Sequence, residues 1–463
     1  MKNKFLIISL FLFFLLLQAN AQQNVRPPYQ YPTEPEVLVN LREWQDLKFG
    51  LFMHWGTYSL WGIDASWPLC PEEHAWIARP KDKAYTQFVE EYENLIKIFN
   101  PLQFDPSKWA AAAKEAGMKY VIFTTKHHDG FNMFDTRQSE YRITSKDCPF
   151  HSHPKANVTK EIFEAFQKEN FKTGAYYSIA DWNHNDYWWD YYPPKSREMN
   201  YSPIKNPEKY DRFHQFMCNQ LEELVNGDYG KVDILWFDLP ELSSEKGVDW
   251  ERLSKTVRSY QPQTMMVARH TNTQYENYRT PEQEIPERAL DYPWETCMTM
   301  GRLWLYNADD QFKTSHQLIQ NLVQIVSRGG NFLLNIGPSP DGDFHPTAYE
   351  RLKEIGGWMK INSEAIYATK PISPYHETKL VFTQKGNTVY ATYLPDEDEK
   401  NIPSIVLVHS MQPKKGSKVY LLGYSQPLSW ENTGKGFTIA IPKSLQNKPP
   451  CQYAWTFKFE VNQ

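Results

Sequence analysis

The chain has 463 residues, which is too long for one compact core, so we expect two domains. A net charge of −5 provides no basic surface of the kind that binds nucleic acid, and this class of partner is excluded. The aromatic content of 15%, with 16 Trp and 28 Tyr, favours concave sites for sugars, although these residues also fill cores.

The N-terminus has the pattern of a secretory signal peptide. Lys2 and Lys4 precede the apolar run 5–17, and Ala19 and Ala21 follow it as an A-x-A cleavage site. The apolar run is too short to cross a bilayer, and no other stretch is apolar enough to do so. We therefore expect a signal peptide at residues 1–21 and export to the periplasm or the extracellular space, with no membrane span.

Strands and helices alternate through most of the chain after a polar, Pro-rich linker at residues 22–38. Apolar runs of strand type end in polar or aromatic clusters, and segments of helical periodicity separate them. This alternation predicts an α/β fold, a (β/α)8-like barrel over residues 22–370. The predicted strands are 49–56, 120–125, 172–178, 232–237, 265–268 and 331–336, and the predicted helices are 85–99, 106–117, 160–170, 211–227, 250–260, 316–327 and 349–362.

The pattern changes beyond Pro371. Short β runs are separated by Gly, Asn, Asp and Pro turns, and no helical period interrupts them. Residues 371–463 are therefore predicted to form a C-terminal antiparallel β-sandwich. The runs are 379–383, 388–393, 404–408, 418–422 and 437–441.

One predicted strand delivers a carboxylate at its C-terminal end. The run 232–237 ends at Asp238, and Pro240 stops the strand. An aspartate in this position often caps a helix or starts a turn. In a (β/α) barrel, however, the C-terminal strand ends carry the catalytic groups. Two interpretations of Asp238 therefore remain open: it is a catalytic residue, or it only caps a helix or starts a turn.

Three other predicted strands end in groups that bind or react: His54, the pair His127 and His128, and Arg269. The histidine pair fits metal ligation, general base catalysis, donors to ligand hydroxyls, or simply polar loop residues. No H-x-H or HExxH pattern accompanies it, and the five cysteines are widely scattered without Cys-x-x-Cys spacing. We expect no metal and no cofactor.

Glycoside hydrolysis with Asp238 as nucleophile requires a second carboxyl group to protonate the leaving oxygen. Glu282, Glu284 and Glu295 are the candidates, and spacing alone does not choose between them. The two carboxyl groups need different environments, so we expect Arg or His donors near Asp238 and a drier site around the acid.

Five segments, in order along residues 40–370, together resemble the successive motifs of family 29 α-L-fucosidases. The segments are 49–59 (FGLFMHWGTYS), 126–131 (KHHDGF), 174–178 (GAYYS) with Asp181 and Trp182, 235–238 (LWFD), and 327–338 (SRGGNFLLNIGP). The resemblance implies a retaining exo-glycosidase that acts on fucosylated glycans without a cofactor. It also implies a catalytic barrel followed by a β-sandwich.

The resemblance implies Asp238 as the nucleophile. It implies that His54, His127 and His128 bind the fucose hydroxyls, that Tyr176 and Trp236 line the sugar, and that Arg269 lies near the nucleophile. The segment 280–286 is similar to the acid/base segment of the α-1,3/1,4-selective branch, which implies Glu282 rather than Glu295 as the acid/base.

The sequence departs from the family pattern in three places. Ala75 precedes Trp76 where the family often has Glu before this Trp, and Trp76 is expected to contact the sugar. Leu239 stands where Gly commonly follows the nucleophile, and 301–306 (GRLWLY) replaces a more usual turn. Two alternatives remain open: a degenerate barrel that binds fucosylated glycans without cleaving them, and a hydrolase of another sugar such as a galactoside.

Overall fold

The computed structural model describes residues 27–63, 65–70 and 83–462. The predicted signal peptide and Trp76 lie outside these ranges. Within them, no helix is both long enough and apolar enough to cross a membrane.

Residues 35–362 are built around one parallel sheet. Seven strands pair in the order β5-β4-β3-β2-β1-β7-β6, and every pair is parallel. The first strand therefore lies between the second and the seventh. The strands are β1 Phe49–Met53, β2 Tyr120–Lys126, β3 Lys172–Ser178, β4 Ile234–Asp238, β5 Met265–Ala268, β6 Glu295–Thr299 and β7 Asn331–Asn335.

The helices cover the outer face of this sheet. The helices are α1 Pro35–Leu47, α2 Tyr85–Glu93, α3 Pro106–Glu115, α4 Val158–Lys168, α5 Pro207–Val225, α6 Trp250–Tyr260, α7 Ser315–Ser327 and α8 Pro346–Asn362. Side-chain caps start several of them: Asp105, Asn157 and Asp249 accept hydrogen bonds from the first turns of α3, α4 and α6. Short 3-10 turns occupy Thr57–Leu60, Trp67–Leu69, Asn94–Lys97, Pro149–Ser152 and Ser363–Ala365.

Both faces of the parallel sheet are buried. Alternate residues of a strand pack either into the core between the sheet and the helices or into the core inside the barrel. On β4, Leu235 and Phe237 pack outward against the helices, whereas Ile234 and Trp236 point into the barrel interior. Every residue from Ile234 to Phe237 is buried. The apolar run that predicted this strand therefore reflects contact on two sides.

Helix α1 closes the floor of the barrel and was not predicted, since residues 22–38 were expected to form a linker. Val37, Leu41 and Trp44 join the interior core, and the Trp44 ring stacks on Tyr278 with centroids 4.0 Å apart. The apolar residues of α1 lie on more than one face, because Val39 is exposed while Val37, Leu41 and Trp44 are buried.

Strand β6 was also not predicted, because Glu295–Thr299 has no apolar run. The segment 276–282 lies between the two edge strands. Isolated bridges join Glu276 to Val267 of β5, Arg279 to Trp294 just before β6, and Glu282 to Cys297 of β6. This segment closes the gap between the sheet edges. The predicted (β/α)8-like class is confirmed, with seven parallel strands in the described part of the chain.

The C-terminal part is the predicted antiparallel sandwich. A five-stranded sheet in the order β12-β15-β10-β9-β8 and a three-stranded sheet in the order β11-β14-β13 contribute to one apolar core. A short helix, α9 Lys443–Asn447, was not expected there. The strands are β8 Lys370–Glu377, β9 Leu380–Lys385, β10 Thr388–Tyr393, β11 Ile405–Val408, β12 Tyr420–Leu421, β13 Ser429–Asn432, β14 Phe437–Ala440 and β15 Trp455–Glu460.

Candidate active site

Polar side chains occupy the mouth of the barrel because they continue the interior rows of the strands. Side chains alternate along a strand, so the residue two positions beyond the last apolar interior residue also points inward. On β4 the row continues from Trp236 to Asp238, and on β5 from Val267 to Arg269. His54 after β1 follows Phe52 in the same way. The strand ends singled out from the sequence therefore meet in one place.

The histidine pair reaches this mouth through an irregularity in β2. The pairing register of β2 with β3 shifts between Thr124 and Lys126, as a β-bulge does. Lys126 consequently lies on the outer side, where its fully buried Nζ donates to Asp181 Oδ2 at 3.0 Å and to Tyr177 Oη at 3.2 Å. This buried ion pair anchors the turn that carries His127 and His128.

Asp238 is held as a carboxylate by two donors. Arg269 Nη1 donates to Oδ1 at 2.6 Å, and the Tyr176 hydroxyl donates to Oδ2 at 2.8 Å. Burial alone would raise the pKa of Asp238, but the positive charge of Arg269 and the hydrogen bond from Tyr176 outweigh it. The pKa therefore lies well below the ordinary value of a carboxyl group, and Asp238 is ionised at neutral pH.

Glu282 shares the same arginine. Arg269 Nη2 donates to Glu282 Oε2 at 2.8 Å, while Nε donates to Thr280 Oγ1 at 3.0 Å. The guanidinium also lies over the Trp236 ring, 4.5 Å from its centroid. One buried, planar cation thus bridges two carboxylates at the barrel mouth.

The expectation of a drier environment around Glu282 than around Asp238 is wrong. The Glu282 side chain is 42% exposed, compared with 20% for Asp238. Glu282 belongs to the closing segment at the rim, whereas Asp238 ends an interior row. Glu282 is therefore the more solvent-exposed of the two carboxyl groups.

Glu295, the alternative acid, lies below this site. It begins β6 and is fully buried, and its carboxyl group accepts hydrogen bonds from Tyr120 Oη at 2.6 Å and Trp236 Nε1 at 3.2 Å. Burial raises its pKa to about 7, against the hydrogen bonds, which lower it. Glu295 does not line the cavity.

The hydrogen bonds of the buried histidines fix their tautomers. Ser178 Oγ donates to Ala180 O at 2.6 Å, so it must accept the 2.7 Å hydrogen bond that joins it to His128 Nδ1. Asn335 Nδ2 donates to Trp304 O, which leaves Asn335 Oδ1 to accept from His54 Nδ1 at 2.8 Å. Both rings therefore carry their proton on Nδ1 and present Nε2 as an acceptor.

Burial also keeps these histidines neutral. It lowers the pKa of His54 to about 4 and that of His128 to about 3, and it also lowers the pKa of His127 well below its ordinary value. The 3.9 Å approach of His128 Nε2 to Asp238 Oδ2 is consequently not an ion pair at neutral pH. His127 Nδ1 is hydrogen-bonded to Ser66 Oγ. Neutral imidazoles with a free Nε2 suit sugar hydroxyl groups as ligands.

Aromatic rings form the walls of a cavity of about 490 Å³, a size typical of small-molecule sites. The Tyr176 ring stacks against Trp236 at 5.4 Å and against His127 at 5.6 Å. Except for Trp76, which lies outside the described residues, all the site residues predicted from the sequence line this cavity: His54, His127, His128, Tyr176, Trp236, Asp238, Arg269 and Glu282.

Sequence reasoning missed several lining residues. Trp67 follows no motif, and Trp304 belongs to the 301–306 segment that was noted only as a departure from the family pattern. Arg197 comes from a long loop after β3. Ser178 and Asn335, which orient the histidines, were signalled only as parts of the GAYYS and SRGGNFLLNIGP segments. Within residues 27–63, 65–70 and 83–462, no group of three or more His, Cys, Asp or Glu residues is arranged to hold a metal ion.

Comparison with known proteins gives a consistent result. The family profile described as Alpha-L-fucosidase matches residues 16–364, and the profile described as Alpha-L-fucosidase C-terminal domain matches residues 374–460. The tissue alpha-L-fucosidases of Rattus norvegicus and Homo sapiens are each 30% identical, over 96% of this chain and 96% of theirs. The structure of alpha-L-fucosidase isoenzyme 1 from Paenibacillus thiaminolyticus is 27% identical and superposes with a TM-score of 0.74. That match covers 92% of this chain and 100% of the other.

Proposed function

This chain belongs to the alpha-L-fucosidase family of glycoside hydrolases, and from that premise we propose that it releases terminal fucose by double displacement. Asp238 is the nucleophile and Glu282 is the acid/base. One observation carries this assignment: a single guanidinium, that of Arg269, contacts both carboxylates at the mouth of the barrel.

In the first step Asp238 attacks the anomeric carbon of the fucoside. The glycosidic C–O bond breaks as Glu282 gives its proton to the leaving oxygen, so the aglycone departs as an alcohol and the sugar becomes an ester of Asp238. The donors on Asp238 support this role, because they keep it ionised. The bridge through Arg269 is compatible with the carboxyl separation of about 5 Å that retaining enzymes use.

In the second step a water molecule attacks the same carbon. Glu282, now a carboxylate, takes one proton from the water, the bond to Asp238 breaks, and fucose leaves with its original anomeric configuration. The exposure of Glu282 supports this role, since both the aglycone and the incoming water must reach it. Its position on the closing segment also leaves it facing the cavity.

The walls of the cavity suit a 6-deoxy sugar. The free Nε2 atoms of His54 and His128 accept hydrogen bonds from ring hydroxyls, while the Tyr176 and Trp236 rings offer apolar surface to the sugar faces and the methyl group. The presence of both carboxyl groups, Asp238 and Glu282, in the cavity supports a hydrolase rather than a protein that only binds fucosylated glycans.

The test is hydrolysis of aryl α-L-fucoside followed by NMR, in which the first product should be α-fucose. Asp238→Ala should abolish turnover, and azide should restore it as a fucosyl azide. Full activity of Asp238→Ala, or β-fucose as the first product, would contradict the mechanism. Failure on fucosides with turnover of α-galactosides would favour the other-sugar alternative.

We further propose α-1,3/1,4 selectivity, which the segment 280–286 supports by its similarity to that branch. A panel of fucosylated oligosaccharides that contrasts α-1,2 with α-1,3/1,4 linkages tests it. Preference for α-1,2 would overturn the selectivity and leave the mechanism intact.

Export through a signal peptide cleaved after Ala21 is also a proposal, supported by the charge and apolar pattern of residues 1–21. N-terminal sequencing of the mature protein should find Gln22 first. An uncleaved Met1 on the mature protein would contradict the proposal.

A further inference from the structure

Arg197 lines the cavity without a partner. Its guanidinium forms no hydrogen bond or ion pair with any residue in the described part of the chain, although the side chain is half-buried. The other arginine in the cavity, Arg269, is satisfied by three hydrogen bonds. A half-buried cation that lacks a protein partner is available to a ligand.

The backbone around Arg197 is held firmly. Its carbonyl oxygen accepts hydrogen bonds from Trp182 Nε1 at 3.2 Å and from Tyr187 Oη at 2.7 Å, and Trp188 Nε1 donates to the next carbonyl, that of Glu198, at 2.9 Å. All three donors belong to buried aromatic side chains. The Trp182 and Trp188 rings also stack on each other, 5.2 Å apart.

This anchored segment is joined to the loop that follows the proposed nucleophile. Met199 N donates to Leu242 O at 2.8 Å, four residues beyond Asp238. The Trp182 ring in turn contacts the His128 ring, with centroids 5.2 Å apart. Arg197 is therefore positioned relative to the site from two directions, and its place at the cavity wall is determined by the fold.

Two carboxylates and one guanidinium are the innermost charges of the cavity. Asp238 and Glu282 share Arg269, and burial keeps His54 and His128 uncharged. Glu241 is the remaining lining carboxylate, and it is exposed and forms no ion pair with Arg197. Of the two arginines that line the cavity in the described part of the chain, Arg197 is thus the one that no carboxylate contacts.

We propose that Arg197 recognises an anionic group, a carboxylate or a sulfate, on the sugar to which fucose is attached. The proposal rests on the proposed function, because it assigns Arg197 to the aglycone part of the same cavity. A guanidinium matches the two oxygens of a carboxylate or sulfate with two parallel hydrogen bonds, whereas a neutral hydroxyl uses only one. Arg197 is therefore a specificity-determining residue rather than a catalytic one.

The test uses three fucosylated disaccharides that differ only in the second sugar: a neutral hexose, the corresponding uronic acid, and the hexose 6-sulfate. For the wild-type protein we expect kcat/KM to be about tenfold higher on one or both acidic substrates than on the neutral one, as a charge-assisted contact implies. The uronic acid and sulfate arms distinguish the two sources of charge.

Arg197→Gln should reduce this acidic-to-neutral ratio to about one. Lys195→Gln is the matched control, because Lys195 lies on the same loop, is exposed and does not line the cavity. It removes the same charge and should leave the ratio at the wild-type value. A wild-type ratio of one, a ratio that survives Arg197→Gln, or an equal loss in Lys195→Gln would overturn the proposal.

Binding provides a readout that does not depend on turnover. Calorimetry of the three disaccharides with Glu282→Gln, and with Glu282→Gln combined with Arg197→Gln, should show the same preference and the same loss. If wild-type protein hydrolyses no fucoside, the proposed function fails, while calorimetry still decides the role of Arg197. Equal affinities for the acidic and neutral disaccharides would reject that role.

Discussion

The carboxylates of Asp238 and Glu282 are joined through one guanidinium, which donates to the first at 2.6 Å and to the second at 2.8 Å. The two groups come from different parts of the fold, a strand end and the segment that closes the barrel. Their shared cation couples the two carboxyl groups electrostatically.

Glu282→Gln should lose most of its activity, whereas Glu295→Gln should keep it. Loss of the acid/base should lower kcat by about 10²–10⁴-fold on substrates with poor leaving groups. Glu295→Gln keeps a polar group of the same size against Tyr120 and Trp236, outside the cavity, and should retain most activity. Steady-state kinetics of the two variants on one natural-type disaccharide gives the comparison.

An aryl fucoside with a good leaving group serves as the internal control, because its departure needs little protonation. Glu282→Gln should be impaired far less on this substrate than on the disaccharide. If Glu295→Gln shows that difference and Glu282→Gln does not, the acid/base assignment is wrong.

Arg269→Gln should move the acidic limb of the pH–rate profile. The pKa of Asp238 is depressed, so activity is lost only when the pH falls through a value well below the usual carboxyl range. Removal of the cation should raise the pH at which activity is half lost on the acidic side by about 1–3 units. Arg269→Lys keeps a charge and should raise it less. An acidic limb at the same pH in all three proteins would show that Arg269 does not control this ionisation.

At position 239 the glycine variant should be more stable than the alanine variant, which is the reverse of the usual order. The φ of Leu239, 46°, is left-handed and its side chain is buried, so both truncations lose packing but only glycine is free of backbone strain. Leu239→Gly should therefore be about 1 kcal/mol more stable than Leu239→Ala in urea unfolding. Leu242, also buried and without a positive φ, is the control, and there the alanine variant should be the more stable.

His128→Gln and Glu295→Gln should change the pH dependence of stability in opposite directions. His128 has a depressed pKa of about 3, so its contribution is present above the unfolded value of about 6.5 and declines as the pH falls below it. Glu295 has a raised pKa of about 7, so its contribution is present below about 4.5 and is lost as the pH rises through 7. As the pH falls from 6.5 to 4.5, His128 lowers the free energy of unfolding and Glu295 raises it, so the two contributions offset each other.

In urea unfolding across this window, His128→Gln should lose stability less steeply on acidification than the wild type, by roughly 1.4 kcal/mol per pH unit at most. Glu295→Gln should lose it more steeply. His409→Gln, which changes an exposed histidine of the C-terminal domain, should follow the wild type. Parallel curves for all four proteins would contradict the prediction.

Much of the fold could be predicted because its strands and helices carry strong local patterns. The strand Lys172–Ser178 and the helix Trp250–Tyr260, which has a buried apolar stripe, have the predicted bounds, and the other predicted helices overlap the observed ones. The interior rows explain why strand-end residues such as His54, Asp238 and Arg269 meet. Side chains alternate between the two faces of a strand, so the inward-facing row can be extended from the sequence to these residues just past the apolar run.

The remainder depends on contacts between distant segments. Strand β6 has no apolar run, and its identity comes from pairing with β7. Whether Glu282 or Glu295 reaches the cavity depends on how the closing segment crosses from β5 to β6, which spacing does not reveal. Arg197 is positioned by aromatic hydrogen bonds across a long irregular loop, for which no short-range pattern exists.

The pairing of β1 with β7, the first and last strands of the parallel sheet, has a consequence for biosynthesis. Gly50 of β1 lies opposite Leu333 of β7, and Asn331 Nδ2 binds the carbonyl of Trp44 in the floor helix. The floor helix and β1 are made early, yet their partners emerge from the ribosome nearly 300 residues later. The barrel is therefore completed only after most of the chain has been synthesised, and long-range closure of this kind is slow. A ribosome-bound chain that ends before β7 should remain open to protease around β1.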